Sequence, residues 1–283
     1  MDRIPVYLDS NVLIDMADGR DDELIGLILR SIYFGPYCYP FTAEQISEIT
    51  QQEKHERNET RLIFLGGISR NIYFEHSIYQ LGFRTESPKT VYGTINEVAI
   101  AENWEADFAN FISYEQQLEA RIEYGLSAEN LNNLSSQEAI QTINSALAGY
   151  EYENDEIQIK PPRSLDEMLN YGENNMREHF SSLWQQMKAD PEAQLRNGRI
   201  VSLFSLIDTF GFWSDSKTVY KKGSRLADSR HAFNGSYFNK VVSRDKRFLK
   251  KTEAAYYYFD FSTEVLHTEE FKKHLRGVLS GES

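Results

Sequence analysis

Apolar and polar positions over the first sixty residues fall into blocks that read strand, helix, strand, helix. Residues 4–9 (Ile-Pro-Val-Tyr-Leu-Asp) are a short β-favouring run ending at an acid, which predicts a buried strand. Residues 11–17 begin a helix, and the turn-forming run Asp18-Gly19-Arg20-Asp21-Asp22 interrupts it. Leu24, Ile25, Ile28, Leu29 and Ile32 recur at helical spacing and predict a second helix over 22–33. Residues 37–41 (Tyr-Cys-Tyr-Pro-Phe) read as a second strand. Thr42 with Gln45 fits a capping box, in which hydroxyl and amide each satisfy an orphan backbone donor. The helix it opens passes through Ile46 and Ile49 into a charged stretch from Glu53 to Arg61. This element order is the mark of a parallel α/β sheet.

Residues 94–199 differ. Long polar helical patterns, for example over 97–124 and 135–149, are broken by the segment Tyr150–Pro162, and predict a mostly helical insertion. The α/β pattern returns at 200. Residues 200–213 form an apolar helix, Asp228 opens another over 228–238, and Lys240–Ser243 is a short strand closing on Arg244-Asp245. Lys246–Ala254 is a helix, and Tyr256–Phe261 is a final strand whose aromatics belong in the sheet core. The expected fold is therefore α/β, a three-layer α/β/α sandwich with a mainly parallel sheet of four or five strands. The expected domain comprises 1–93 and 200–283, with 94–199 inserted.

Composition adds limits. With 283 residues, 41% hydrophobic and 13% aromatic, the chain has the makings of a sizeable core and not the signature of disorder. The single cysteine, Cys38, cannot form an internal disulfide and fits a reducing cytoplasm. The N-terminus has no apolar stretch of a secretory leader, and no run of about 18 apolar residues predicts a membrane span. The net charge of −13 favours solubility and sits awkwardly with a polyanionic substrate.

The candidate chemistry lies in the acids. Asp9 and Asp245 each end a predicted strand, and in a parallel sheet the carboxyl ends of the strands share one ligand-binding edge. Glu48 lies early in the helix after the second strand, and Asp228 at a helix start facing the same edge. Four converging carboxylates repel one another unless a cation neutralises them, and hard oxygen ligands suit Mg²⁺ or Mn²⁺. Glu44, one turn before Glu48 on the same helix face, is the rival ligand. Asp15, Asp208 and Asp215 read as surface or capping residues, with Asp15 the nearest to a supporting role. Ser10 and Asn11 either orient Asp9 and bind phosphate or cap the helix. Ser243, Arg244, Arg230 and His231 are candidate substrate or carboxylate contacts, with surface or core roles as the alternative. Zinc is excluded for His231, because no Cys or second His has matching spacing. The basic loop from Lys217 to Arg225, with Tyr220 and Gly223, reads as a phosphate contact or a solvated loop.

These segments resemble the motifs of PIN-domain nucleases. Val6-Tyr7-Leu8-Asp9-Ser10-Asn11-Val12-Leu13-Ile14-Asp15 is similar to the family's opening strand, Asp, small polar residue, Asn and apolar helix. Thr42-Ala43-Glu44-Gln45-Ile46-Ser47-Glu48-Ile49 is similar to its second motif, Ala227-Asp228-Ser229-Arg230-His231-Ala232 to its third, and Val241-Val242-Ser243-Arg244-Asp245-Lys246-Arg247-Phe248 to its fourth. The resemblance covers roughly 1–60 and 200–262. It implies that Asp9, Glu48, Asp228 and Asp245 bind the divalent ions, Mg²⁺ or Mn²⁺, of a cytoplasmic endoribonuclease. A structure-specific DNase, or a non-cutting scaffold for RNA or protein, is the alternative. It leaves room for a homo-oligomer or a regulatory protein partner, and not for a membrane.

Overall fold

The computed structural model describes residues 3–50, 55–76, 81–98, 113–150, 162–171, 191–216 and 224–281. The chain divides into two compact units. The first comprises Met1–Asn103, Asn234–Leu249 and Ser262–Ser283, and the second Trp104–Phe233 and Lys250–Phe261.

The first unit is α/β. Strand β1 (Ile4–Leu8) leads into α1 (Ser10–Ala17) and α2 (Asp22–Phe34), then β2 (Tyr37–Cys38), α3 (Ala43–Thr50) and α4 (His55–Ser69). A hairpin of β3 (Ile72–His76) and β4 (Leu81–Thr85) and helix α5 (Pro88–Val98) follow. Strands β5 (Lys240–Ser243) and β6 (Glu264–His267) complete a four-stranded sheet of order β2-β1-β5-β6, parallel throughout. Val6, Tyr7 and Leu8 are all buried, so β1 is covered on both faces, as an inner parallel strand should be. The core around β1 gathers Val12, Leu13 and Met16 of α1, Leu24 and Ile28 of α2, and Ile46 and Ile49 of α3. These are the apolar positions whose helical spacing predicts the elements.

Several boundaries differ from expectation. The second strand is regular only over Tyr37–Cys38. Beyond Pro40, Phe41 makes a single parallel bridge to Tyr73, a partner over thirty residues away that no local pattern announces. The antiparallel β3–β4 hairpin is a further element that the sequence reading did not name. The final strand is Glu264–His267, and Tyr256–Tyr258 instead belong to the helix Lys246–Tyr258. Nothing breaks the helix at Ala254, and Lys251, Ala254 and Ala255 are buried at helical spacing while Tyr257 is exposed. Asp260, at φ 56°, lies just beyond this helix.

The second unit is helical among its described residues. It includes Tyr114–Glu123, Ala128–Asn132, Ser136–Ala148 and Pro191–Phe210. Gly211 ends the last of these at φ 101°, and a Cβ there would lie 3.2 Å from the Ala128 backbone, so only glycine suits the position. Arg121, buried in this unit, donates to the carbonyls of Asp208 and Thr209 at 2.7 and 2.8 Å and so satisfies the end of that helix. Asp208 and Asp215 are not surface or capping residues. They are buried, and Asp208 accepts from the Lys251 ammonium at 2.7 Å. No described helix is long and apolar enough to cross a membrane.

Charge pairs fasten α1 to α4. The Asp18 carboxylate accepts from Arg20 at 2.7 Å, Arg57 at 3.0 Å and Arg61 at 2.9 Å, and both Asp18 and Arg61 are almost fully enclosed. The Arg61 hydrogen bond, with the charges of Arg61, Arg57 and Arg20 behind it, outweighs burial and holds the carboxyl below its ordinary value. A carboxyl depressed in the folded state stabilises the protein above its unfolded pKa of about 3.9, and that stabilisation is lost as pH falls through the folded value. Asp18→Asn is therefore expected to lose roughly 1.5–3 kcal/mol at pH 7, the worth of hydrogen bonds to a charged group. The gap to wild type should begin to narrow below about pH 4, where the unfolded-state carboxyl protonates, and close as pH falls through the lower folded value. Urea denaturation at pH 7 and pH 3 measures both.

Candidate functional site

Parallel pairing of β1 with β5 sets Leu8 opposite Val242, so Asp9, just after β1, and Ser243, the last residue of β5, meet at the carboxyl edge. The Asp9 N–H continues the ladder to the Val242 carbonyl at 2.9 Å. Asp9 precedes α1 as its cap, yet its carboxylate makes no capping bond. Instead its Oδ2 accepts from the Ser243 hydroxyl at 2.5 Å and from the Asn11 amide at 2.6 Å. Asn11 also donates to Ser243 Oγ at 3.3 Å. Two donors from separate segments thus hold one oxygen of a buried carboxylate.

Glu48 comes to the same place from α3. One of its carboxylate oxygens lies within 4.8 Å of one of Asp9's. What seats α3 is Gln45, buried, whose amide donates to the carbonyl of Leu8, the last residue of β1. The Gln45 carbonyl accepts from the Thr42 N–H at 2.7 Å, which is half of the expected capping box. The Thr42 hydroxyl also donates to it, at 3.4 Å, in place of a bond to the helix backbone. Gln45 is a positioning residue that the sequence reading placed only as a cap. Its place four residues before Ile49, on the apolar face of the helix, is the signal that marks it.

Tyr7 reports the charge of this corner. Burial first, then the carboxylates of Glu44, Asp9 and Glu48, raise its phenol pKa, against one lowering hydrogen bond from Thr42. Glu44 is thus near, and it acts on Tyr73 as well, whereas Glu48 is the one with an oxygen close to Asp9.

The remaining candidates divide. Asp245 follows β5 and is exposed. Its Oδ1 accepts from the N–H groups of Arg247 and Phe248 at 2.8 and 3.2 Å, capping the next helix, while its own N–H donates to Ser243 Oγ at 3.0 Å. Ser243 Oγ therefore touches the Asp9 carboxylate and the Asp245 backbone N–H, while the Asp245 carboxylate turns to the helix it caps. Ser10 is buried, and its hydroxyl has no hydrogen-bond partner among the described residues. Arg244 does not project freely. Its guanidinium is held between Asp15 and Asp21, and Asp15 is paired in turn with Arg20 at 2.7 Å. Asp21 sits below the ordinary carboxylate range because Lys272, the Leu24 N–H and Arg244 together outweigh its burial. Asp228 and His231 belong to the second unit, on the helix Ser224–Gly235. That helix starts a turn earlier than expected, so Asp228 lies inside it and not at its cap. His231 is buried, and Asp228 and Arg230 are half-buried. Lys217–Gly223 of the basic loop lie outside the described residues.

Two carboxylates this close repel one another unless a cation intervenes. The oxygen donors of Asp9 and Glu48 fit a hard divalent ion, and the Ser243 and Asn11 bonds both fall on Asp9 Oδ2. Donors that orient a ligating carboxylate typically contribute 10–100-fold to metal affinity or activity. Ser243→Ala is expected to weaken Mn²⁺ binding by about that factor, read by calorimetric titration. An unchanged affinity would disconnect Ser243 from the site. No family model, no curated protein and no solved structure matches this chain.

Proposed function

We propose that the protein is a divalent-metal-dependent nuclease with a PIN-like fold that hydrolyses RNA. The observation carrying this reading is the approach of Asp9 and Glu48 to within 4.8 Å at the carboxyl edge of a parallel sheet. Asp9 and Glu48 would hold the ion; Asp245 meets Ser243 Oγ through its backbone N–H, and its place as a ligand rests on the resemblance. Asp228, as a further ligand, and His231, as a substrate contact, rest on the resemblance to the PIN family alone. A bound Mg²⁺ or Mn²⁺ would supply Lewis-acid stabilisation of the phosphoryl group and a water acidic enough to attack near neutral pH. The chain's own part is to fix the ligands: Ser243 and Asn11 orient Asp9, and Gln45 ties the helix bearing Glu48 to the end of β1.

The test is cleavage of end-labelled single-stranded RNA and DNA with Mn²⁺, Mg²⁺ or EDTA. Metal-dependent internal cutting of RNA in preference to DNA is the expected result. Preferential DNA cutting would replace the substrate. A second reading, a PIN-like scaffold that binds without cutting, draws on the net charge of −13 and on Arg244 being held by two aspartates. It predicts metal binding with no cleavage of either polymer.

A further inference from the structure

The first unit contains a pocket of about 160 Å³ at the other end of β1 from Asp9. Arg3 precedes the strand and Asp9 follows it, and six residues of extended chain separate them by roughly 20 Å. The pocket therefore has no part in the reading above and stands or falls without it. Its apolar lining comes from Ile32 of α2, Ile68 of α4, Ile72 of β3 and Tyr39. Arg3 and Arg70 also line it, both exposed, and Cys38 and Ser69 add a thiol and a hydroxyl.

The two arginines are held differently. Arg3 is anchored: one terminal nitrogen donates to the carbonyls of Ile32 and Tyr37 at 2.7 and 3.2 Å. That uses one nitrogen of a group with five N–H donors. Arg70 has no hydrogen bond or ion pair among the described residues, although acidic residues outnumber basic ones by 43 to 30 in this chain. Arg70 and Asn71, where α4 ends, adopt the left-handed conformations of a helix C-cap, φ 53° and 58°. The turn is secured behind Arg70: Asn71 donates to the Gly66 carbonyl and Ser69 Oγ, each at 3.2 Å, and its carbonyl accepts from Glu86 at 2.8 Å. This is the left-handed close of α4, in which the Asn71 N–H returns to the Gly66 carbonyl as in a Schellman cap, and it fixes the backbone from which Arg70 lines the pocket.

We propose that this pocket binds a small organic monoanion, an aryl or branched-alkyl carboxylate of about one ring's size. A cavity of about 150 Å³ admits benzene, so the volume suits a single ring or a short branched chain and excludes a nucleotide. The ligand's apolar body fills the isoleucine and Tyr39 walls. Its carboxylate meets Arg70 and the remaining donors of Arg3, whose planar forks match carboxylate geometry.

Cys38 is the chain's one cysteine, so its modification reports on the pocket without background. The whole protein is treated with N-ethylmaleimide while benzoate is titrated, and 4-fluorobenzoate binding is followed in parallel by fluorine NMR. Saturable protection of Cys38 of at least fivefold by benzoate is expected, with matching broadening of the fluorine signal. Benzyl alcohol and inorganic phosphate should protect far less. Arg70→Glu, an exposed position, should abolish both effects while leaving the melting temperature unchanged, and Arg70→Lys should retain part of them. Equal protection by benzyl alcohol would overturn the anion assignment, and equal protection by phosphate the organic one. Non-saturating protection, or benzoate binding that survives Arg70→Glu, would overturn the site.

Discussion

Asp9→Asn is expected to abolish cleavage, lowering it by at least about 100-fold, or some 2.7 kcal/mol of transition-state stabilisation. It is also expected to remove the stabilisation that Mn²⁺ gives the wild type. The substitution is close to isosteric. The asparagine carbonyl can still accept from Ser243 and Asn11, as Asp9 Oδ2 does now. What it loses is the charge and the second oxygen, which becomes a donor unable to ligate a cation. In EDTA the variant should melt no lower than wild type, because a carboxylate within 4.8 Å of Glu48 is replaced by a neutral group. Adding Mn²⁺ should raise the wild-type melting temperature, since ligands that bind only the folded state stabilise it, and leave Asp9→Asn unmoved. Full cleavage, or an equal Mn²⁺ shift, in the variant would falsify the placement of the ion on Asp9.

Lys251→Met should have the largest effect on stability, and it acts in the second unit. Lys251 is 1% exposed, with Asp208 at 2.7 Å and Asp215 at 3.7 Å, and both aspartates are buried. Asp208 Oδ1 also accepts the Asp215 N–H at 3.1 Å. Methionine fills the space and removes the ammonium, leaving two enclosed carboxylates without their cation. Breaking a buried pair from one side costs about 3–5 kcal/mol, which for a chain of this size lowers the melting temperature by roughly 10 °C. The double variant Asp208→Asn with Lys251→Met removes one buried negative charge as well and should recover part of the loss, as neutral replacements of buried pairs do. A double variant no more stable than the single would show that the pair contributes through packing and not through charge. Thermal denaturation of the three proteins decides it.

How much of this was legible beforehand varies by element. The run at 4–9 marked β1 and its terminal acid, because a short apolar run flanked by turn chemistry has few other uses. The stripe at Leu24, Ile28 and Ile32 marked α2 for a similar reason: a 3.6-residue period buries one face and no other conformation does so. The run at 240–245 marked β5 and placed Asp245 just past its end. The aromatic run at 256–261 misled, since aromatics favour strands in general while the preceding helix had no residue to stop it. Phe41 and Tyr73 pair across a gap that no window of sequence spans.

The candidate site separates the same way. The local settings of Asp9, Glu48 and Asp245 were written in the sequence, because local backbone preference is a property of a few consecutive residues, whereas Asp228 proved to lie inside its helix. Which of them meet was decided by the tertiary structure. The parallel register of β1 on β5 sets Ser243 beside Asp9, and the bond from Gln45 to Leu8 brings Glu48 toward it. The same packing gave Arg244 to Asp15 and Asp21, left Asp245 exposed at a helix cap, and buried Asp208 and Asp215 against Lys251. Each outcome depends on contacts between residues dozens to hundreds of positions apart. Their energies arise only once the intervening elements have paired and excluded water, so periodicity and spacing cannot contain them.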